Sequence, residues 1–222
     1  MKRMANMSKF SKQELVKMAA TKCKHGHTYL EHPNCYLKDK AADLRIGYLD
    51  IESGGLNANF DYMLTWVIKT KGKDEYRCGV IDQKDILAFN FDKQILEKLI
   101  ESLTEYDVIY TYYGTGFDIP FIRSRAMMQK MKFLTFGAMQ HKDLYFVVRS
   151  KMKLHKSSLD SACAALGIKG KNHIKGNFWM RAKVGDKEAL AYVLDHNKKD
   201  CQILEKLHEK LQYYYKDTTN SI

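Results

Sequence analysis

Residues 45–81 carry three short runs of strand-forming residues separated by only two polar turns. A chain that reverses twice in so short a span has little choice but an antiparallel meander. The runs are 45–52, 62–69 and 77–81, with Gly54, Gly55, Asn57 and Asn59 marking the first turn and residues 71–73 the second. Ile95, Leu96, Leu99, Ile100 and Leu103 then recur at helical spacing, and the apolar run 107–112 reads as a buried strand. A strand reached through a helix is most simply parallel to its neighbour. Helices are expected over 119–130, 144–151, 159–166 and 187–215, which makes the whole a mixed α/β sheet flanked by helices.

Ahead of the meander, Ser11 and Glu14 have the spacing of a capping box, so a short helix is expected to run to about Ala20. A loop dense in soft ligands follows: Cys23, His25, His27, His32 and Cys35. Tetrahedral Zn²⁺ needs four such groups on two turns, with glycine or proline to bend the backbone, and Gly26 and Pro33 supply the bends. Cys23, His32 and Cys35 are the expected ligands, with His25 or His27 as the fourth, in a structural rather than a catalytic site. The division expected is residues 1–40 for this helix and zinc-binding loop and 41–222 for the main domain. The other cysteines, Cys78, Cys163 and Cys201, sit singly in segments that read as core, and the odd total of 5 argues against a disulfide framework and for a reducing compartment.

The formal charge is +11, which makes polyanions the leading class of partner. Residues 149–183 hold nine Lys or Arg against the single acid Asp160. Lys171, Lys175, Arg181 and Lys183 stand there with Phe178 and Trp179, a mixture suited to phosphate contacts and base stacking, although such aromatics fill cores at least as often. No run approaches the length of a membrane span and the N-terminus lacks an apolar leader core, so an intracellular, cytoplasmic protein is expected.

Asp50 and Glu52 lie two apart where the apolar run Tyr48-Leu49-Asp50-Ile51-Glu52 enters its glycine-rich turn. On a strand they share a face and can share a metal ion. A third acid, Asp118, closes Gly114-Thr115-Gly116-Phe117-Asp118 just before Ile119 and Pro120, where it also has the chemistry of a helix cap. A fourth, Asp200, follows His196 by four residues, one helical turn, amid Leu190, Val193, Leu194, Ile203 and Leu204.

In order and context these three elements resemble the motifs of the DEDD superfamily of 3′–5′ exonucleases, which have a ribonuclease H-like fold, and above all predicted archaeal and phage members with an N-terminal Cys/His loop. The resemblance spans about 45–215. It extends to the run 112–121 and to Asp143-Leu144-Tyr145 and Leu159-Asp160. Tyr113 stands where the superfamily commonly has asparagine, and His196 precedes its Asp by the spacing of the tyrosine branch.

The resemblance implies two ions, Mg²⁺ or Mn²⁺, held by oxygen ligands. Asp50 would bridge both ions, Glu52 and Asp200 would complete the first site, and Asp118 would act through water on the second. His196, with an ordinary pKa near 6.5, would take the proton of the attacking water. The implied activity is removal of 5′-mononucleotides from single-stranded DNA or RNA. An inactive nucleic-acid-binding module or an endonuclease of the same fold are the alternatives; all four carboxylates being present weighs against the first.

Overall fold

The computed structural model describes residues 11–33, 35, 36, 39, 40, 44–135, 138–170 and 174–215. Two compact units divide the chain, Met1–Leu44 and Arg45–Ile222.

In the first unit, α1 (Lys12–Ala20) starts on the expected capping box. Glu14 N–H donates to Ser11 Oγ at 3.2 Å and Ser11 N–H to Glu14 Oε2 at 2.9 Å. Glu14 also pairs with Lys40, whose ammonium holds its carboxyl down at about 2. Beyond α1 the chain doubles back at Gly26, which adopts φ +83°. The fold-back is tied by Cys23 N–H to His27 O at 2.8 Å and by an antiparallel bridge between Lys22 and Thr28.

The second unit is built on a five-stranded sheet of order β3-β2-β1-β4-β5. β1 (Ile46–Ser53), β2 (Met63–Thr70) and β3 (Tyr76–Val80) form the expected antiparallel meander. Two short helices follow, α2 (Gln83–Leu87) and α3 (Lys93–Leu103), and lead into β4 (Val108–Thr111), which lies parallel to β1. After α4 (Asp118–Met128), the chain returns as β5 (Gln140–Asp143), parallel to β4. The helices α5 (Leu144–Lys151), α6 (Leu159–Ala165), α7 (Gly176–Lys183) and α8 (Lys187–Leu211) complete the described chain.

Strand alternation sends successive side chains to opposite faces. Leu49 and Ile51 of β1, with Leu64, Trp66 and Ile68 of β2, join a core with Ile95, Leu96 and Leu99 of α3 and Ile119 and Ile122 of α4. Trp66 Nε1 donates to Ile95 O at 2.7 Å, so the largest buried ring has its polar handle satisfied. The opposite face receives α8, and here the docking is polar. Asn197 Nδ2 donates to Thr65 Oγ1 at 3.1 Å, Cys201 Sγ to Val67 O at 3.4 Å, Lys69 to Glu205, and Tyr48 OH meets His208 Nδ1 at 2.8 Å. These helix positions recur every three or four residues, on one face of α8. Because the contacts are directional, they fix the register of α8 along β1 and β2 and not merely its distance from them.

A buried ion pair secures the helix that carries the third acid. The fully buried Asp92 carboxylate accepts from Arg125 Nε and Nη2 at 2.9 and 2.7 Å and from Met63 N–H at 2.9 Å, while Arg125 Nη1 donates to Ala58 O. One carboxylate thereby ties α4 to the start of β2 and to the N-terminus of α3, where Asp92 is the N-cap residue.

Three departures from the sequence expectations have local reasons. β5 reads Gln-His-Lys-Asp, half-buried throughout, and has no apolar alternation to announce it. α7 occupies part of what reads as a basic stretch. Cys163 and Cys201 are buried as expected, but Cys78 is exposed on the edge strand β3.

Candidate active site

The sheet parts where the acids emerge. β4 pairs with β1 only from Ile46 to Tyr48. Beyond that point β1 keeps β2 on one side but, among the described residues, has no strand on the other. Into the gap comes the first residue of α4. Asp118 Oδ1 accepts the Ile51 N–H at 3.3 Å, in the direction where a continued β4 would have offered a carbonyl. The sequence expectation that Asp118 caps its own helix is thus corrected. Phe117 is the N-cap residue and makes no side-chain cap bond, and Asp118 is the first helical residue, turned onto β1.

Asp50 and Glu52 project from β1 on the face covered by α8, both half-buried. The register of α8 brings His196 and Asp200 over them. His196 Nε2 lies 3.5 Å from Glu52 Oε1 and 3.7 Å from Asp200 Oδ2, so the imidazole stands between two carboxylates. Burial pushes the Cys201 thiol well up, and the charges of Asp50, Asp200 and Asp118 add to the effect. All five residues singled out in the sequence therefore meet at one place, brought there by three elements.

Burial pushes the Asp118 carboxyl up to about 7, with the Asp143 charge adding to the effect, although the N–H groups of Asp118 itself and Ile51 favour the charged form. A carboxyl whose folded pKa lies above its unfolded one contributes full stability below the unfolded value, near 3.9, and loses it as pH rises through about 7. Without added divalent ions, the protein is expected to be more stable to urea at pH 4.5 than at pH 8, and Asp118→Asn to narrow that difference in unfolding free energy by on the order of a few kcal/mol. An undiminished difference in the variant would show that other groups cause it.

Beside the acids the 112–117 loop is held by Asp143. Its carboxylate accepts from Tyr113 N–H at 2.8 Å, Thr115 N–H at 2.9 Å and Tyr145 N–H at 3.0 Å, the last capping α5. Asp50 and Asp200 line a cleft of about 570 Å³ together with Tyr112, Tyr113, Tyr145 and residues 156–159. Lys156, Ser157 and Ser158 were not singled out in the sequence: Lys156 is one of the nine basic residues of the 149–183 stretch, and a lysine followed by two serines in a loop carries no periodic or motif signal of its own. Tyr145, two residues past Asp143, was visible only through the family resemblance.

The expected substrate track on α7 is mostly engaged elsewhere. Arg181 pairs with Asp186 at 2.9 Å and with Glu188 at 2.6 Å, and Lys183 pairs with Asp61 at 3.1 Å. Phe178 stacks on Tyr192 with ring centroids 4.5 Å apart and packs against the core. Trp179 is half-buried and Lys175 is exposed, while Lys171 lies outside the described residues.

In the N-terminal unit, Cys23, His25, His32 and Cys35 place their ligand atoms within 4.8 Å of one another. Cys23 Sγ is 3.7 Å from Nδ1 of both His25 and His32, and Cys35 Sγ is 3.4 Å from His25 Nδ1. A sulfur and a nitrogen on one tetrahedral zinc would be about 3.6 Å apart. His27 is outside this set, its ring tilted against that of His32 at 4.3 Å.

No helix among the described residues is long and apolar enough to cross a membrane. Among curated proteins, a DNA polymerase of Methanocaldococcus jannaschii is 35% identical over a stretch covering 31% of this chain and 5% of that protein. Among solved structures, the family B DNA polymerase from the hyperthermophilic archaeon Pyrobaculum calidifontis superposes with a TM-score of 0.60 at 20% identity, over 76% of this chain and 24% of that one. The chain thus spans a small part of each, and the second likeness is one of fold. The model of the RNase_H superfamily matches residues 47–212, which takes in all of the sheet but its first residue, the parting of β1 from β4 and the whole of α8, and the chain belongs to that superfamily.

Proposed function

We propose that this chain is a two-metal-ion-dependent 3′–5′ exonuclease that hydrolyses phosphodiester bonds of single-stranded nucleic acid and releases 5′-mononucleotides. The observation that carries the reading is the convergence of Asp50, Glu52, Asp118 and Asp200 with His196 where β1 and β4 part. The donor set suits Mg²⁺ or Mn²⁺, since the acids offer hard oxygen ligands and Asp118 is buried so deeply that its charged form calls for a nearby cation. Asp50, Glu52, Asp118 and Asp200 would hold the ions, which when bound activate water and offset charge on the leaving oxygen.

The remaining work falls to the chain's own groups. His196 takes the proton of the attacking water at Nε2, and Glu52 and Asp200, on either side of that nitrogen, favour the imidazolium that results. Asp143 orients the 112–117 loop through its three N–H contacts. Incubation with 5′-labelled single-stranded DNA and RNA in Mg²⁺, in Mn²⁺ or in neither tests the proposal. A ladder shortening from the 3′ end is expected with metal. Internal cuts would replace the exonuclease by an endonuclease, and the absence of metal-dependent products would leave a binding module.

The N-terminal cluster is proposed as a structural Zn²⁺ site held by Cys23, His25, His32 and Cys35. The unit offers little else to hold it, since Met18, Cys23 and Tyr36 are the buried hydrophobic side chains among its described residues. Elemental analysis of protein purified without chelator is expected to find about one zinc per chain, and clearly less in Cys23→Ser. Less than about half an equivalent in the unaltered protein would overturn the assignment.

A further inference from the structure

Tyr113 sits on a backbone that bulky residues avoid, and the loop is shaped around its ring. Its φ is +64°, in the left-handed region. Asp143 holds that conformation through the N–H groups of Tyr113 and Thr115. Gly116 makes room for the ring, because a Cβ there would lie 2.5 Å from Tyr113 Cζ. Tyr145 meets the ring edge-on, with centroids 4.9 Å apart and planes at 73°. Tyr145 in turn meets Tyr112, whose hydroxyl is anchored on Ser157 O at 2.7 Å.

With all these supports, Tyr113 remains 48% exposed, on the cleft that Asp50 and Asp200 also line. Core packing does not account for a ring kept half in solvent at a strained backbone position beside a cluster of acids. Lys156, exposed on the same cleft, supplies positive charge.

We propose that Tyr113, backed by Tyr145, is the stacking platform for an unpaired base of a nucleic-acid strand lying in this cleft, with Lys156 meeting a neighbouring phosphate. A ring face accepts any of the bases but only one that is free of its partner, so the ligand class is a single strand with little sequence preference. The cation contributes the salt-dependent part of binding. This also moves the expected contact surface from α7, where Arg181 and Lys183 already have acidic partners, to the loops flanking the acids. The inference rests on the nuclease reading only for the claim that the strand lies there to be cut.

The test is fluorescence anisotropy in Mg²⁺ on an Asp50→Asn background, which guards against degradation, with a labelled oligo-dT decamer and a decamer lacking every base. Tyr113→Ala is expected to weaken binding of the dT decamer by about tenfold or more while leaving the abasic strand unchanged, and Tyr113→Phe to bind both as the parent does. Tyr113→Asn, which tolerates the left-handed backbone, is expected to match Tyr113→Ala and so separates loss of the ring from collapse of the loop. Equal losses on both strands, or none, would overturn the platform. Metal-dependent shortening of a labelled strand together with that negative result would leave the nuclease reading standing without the platform. Base-dependent binding without any cleavage by the unaltered protein would do the reverse.

Discussion

Asp50→Asn is expected to lower metal-dependent nuclease activity by at least about 10³-fold, since a divalent ion contributes several kcal/mol of charge stabilisation in such reactions. The substitution keeps the shape of the side chain and removes its charge. Asp50 is half-buried on β1 and its backbone pairs with Val67 of β2, so the sheet does not depend on the carboxylate. In the absence of divalent ions the variant is expected to melt no lower than the parent, because one of several clustered negative charges has gone. Rates on a labelled single strand in Mg²⁺, read beside thermal melts, separate the two effects. Residual activity within tenfold of the parent would place the chemistry elsewhere.

Arg125→Ala is expected to cost about 3–5 kcal/mol, the range for removing one partner of a buried ion pair. Asp92 is fully buried, and its remaining partner would be the Met63 N–H, a dipole where there had been a full charge. Urea unfolding measures the loss as a lowered midpoint at unchanged slope. A cost below about 1 kcal/mol would mean that water reaches Asp92 when the guanidinium leaves. Asp92→Leu with Arg125→Met is not expected to be neutral, because the Met63 N–H would lose its acceptor. The clamp lies near the far end of α4 from Asp118, so activity should fall along with stability.

Much of this architecture was legible in the sequence because the determining segments are long and periodic. The meander, the helix over 93–103 and the long helix from Lys187 all announce themselves through spacing of apolar side chains, and the structure shifts their ends by a few residues. The acids could be listed for the same reason, each lying at the end of a periodic element or one turn from a histidine. What could not be read was direction. Nothing local says that Asp118 reaches across to Ile51, or that Arg181 is claimed by Asp186 and Glu188. β5 escaped notice because its four polar residues are held by β4 through backbone groups, to which sequence patterns are blind. The choice of His25 over His27 in the N-terminal cluster likewise depends on the bend at Gly26, a matter of three residues.

The bond from the Ile51 amide to Asp118 has a use beyond holding the helix in place. It wires a backbone proton in the middle of the sheet directly to one of the acids. In an NMR spectrum that single resonance is a built-in indicator: it should respond to the ionisation of Asp118 and to whatever cation draws the carboxylate away. Occupancy of the site could then be followed without substrate, turnover or an added probe.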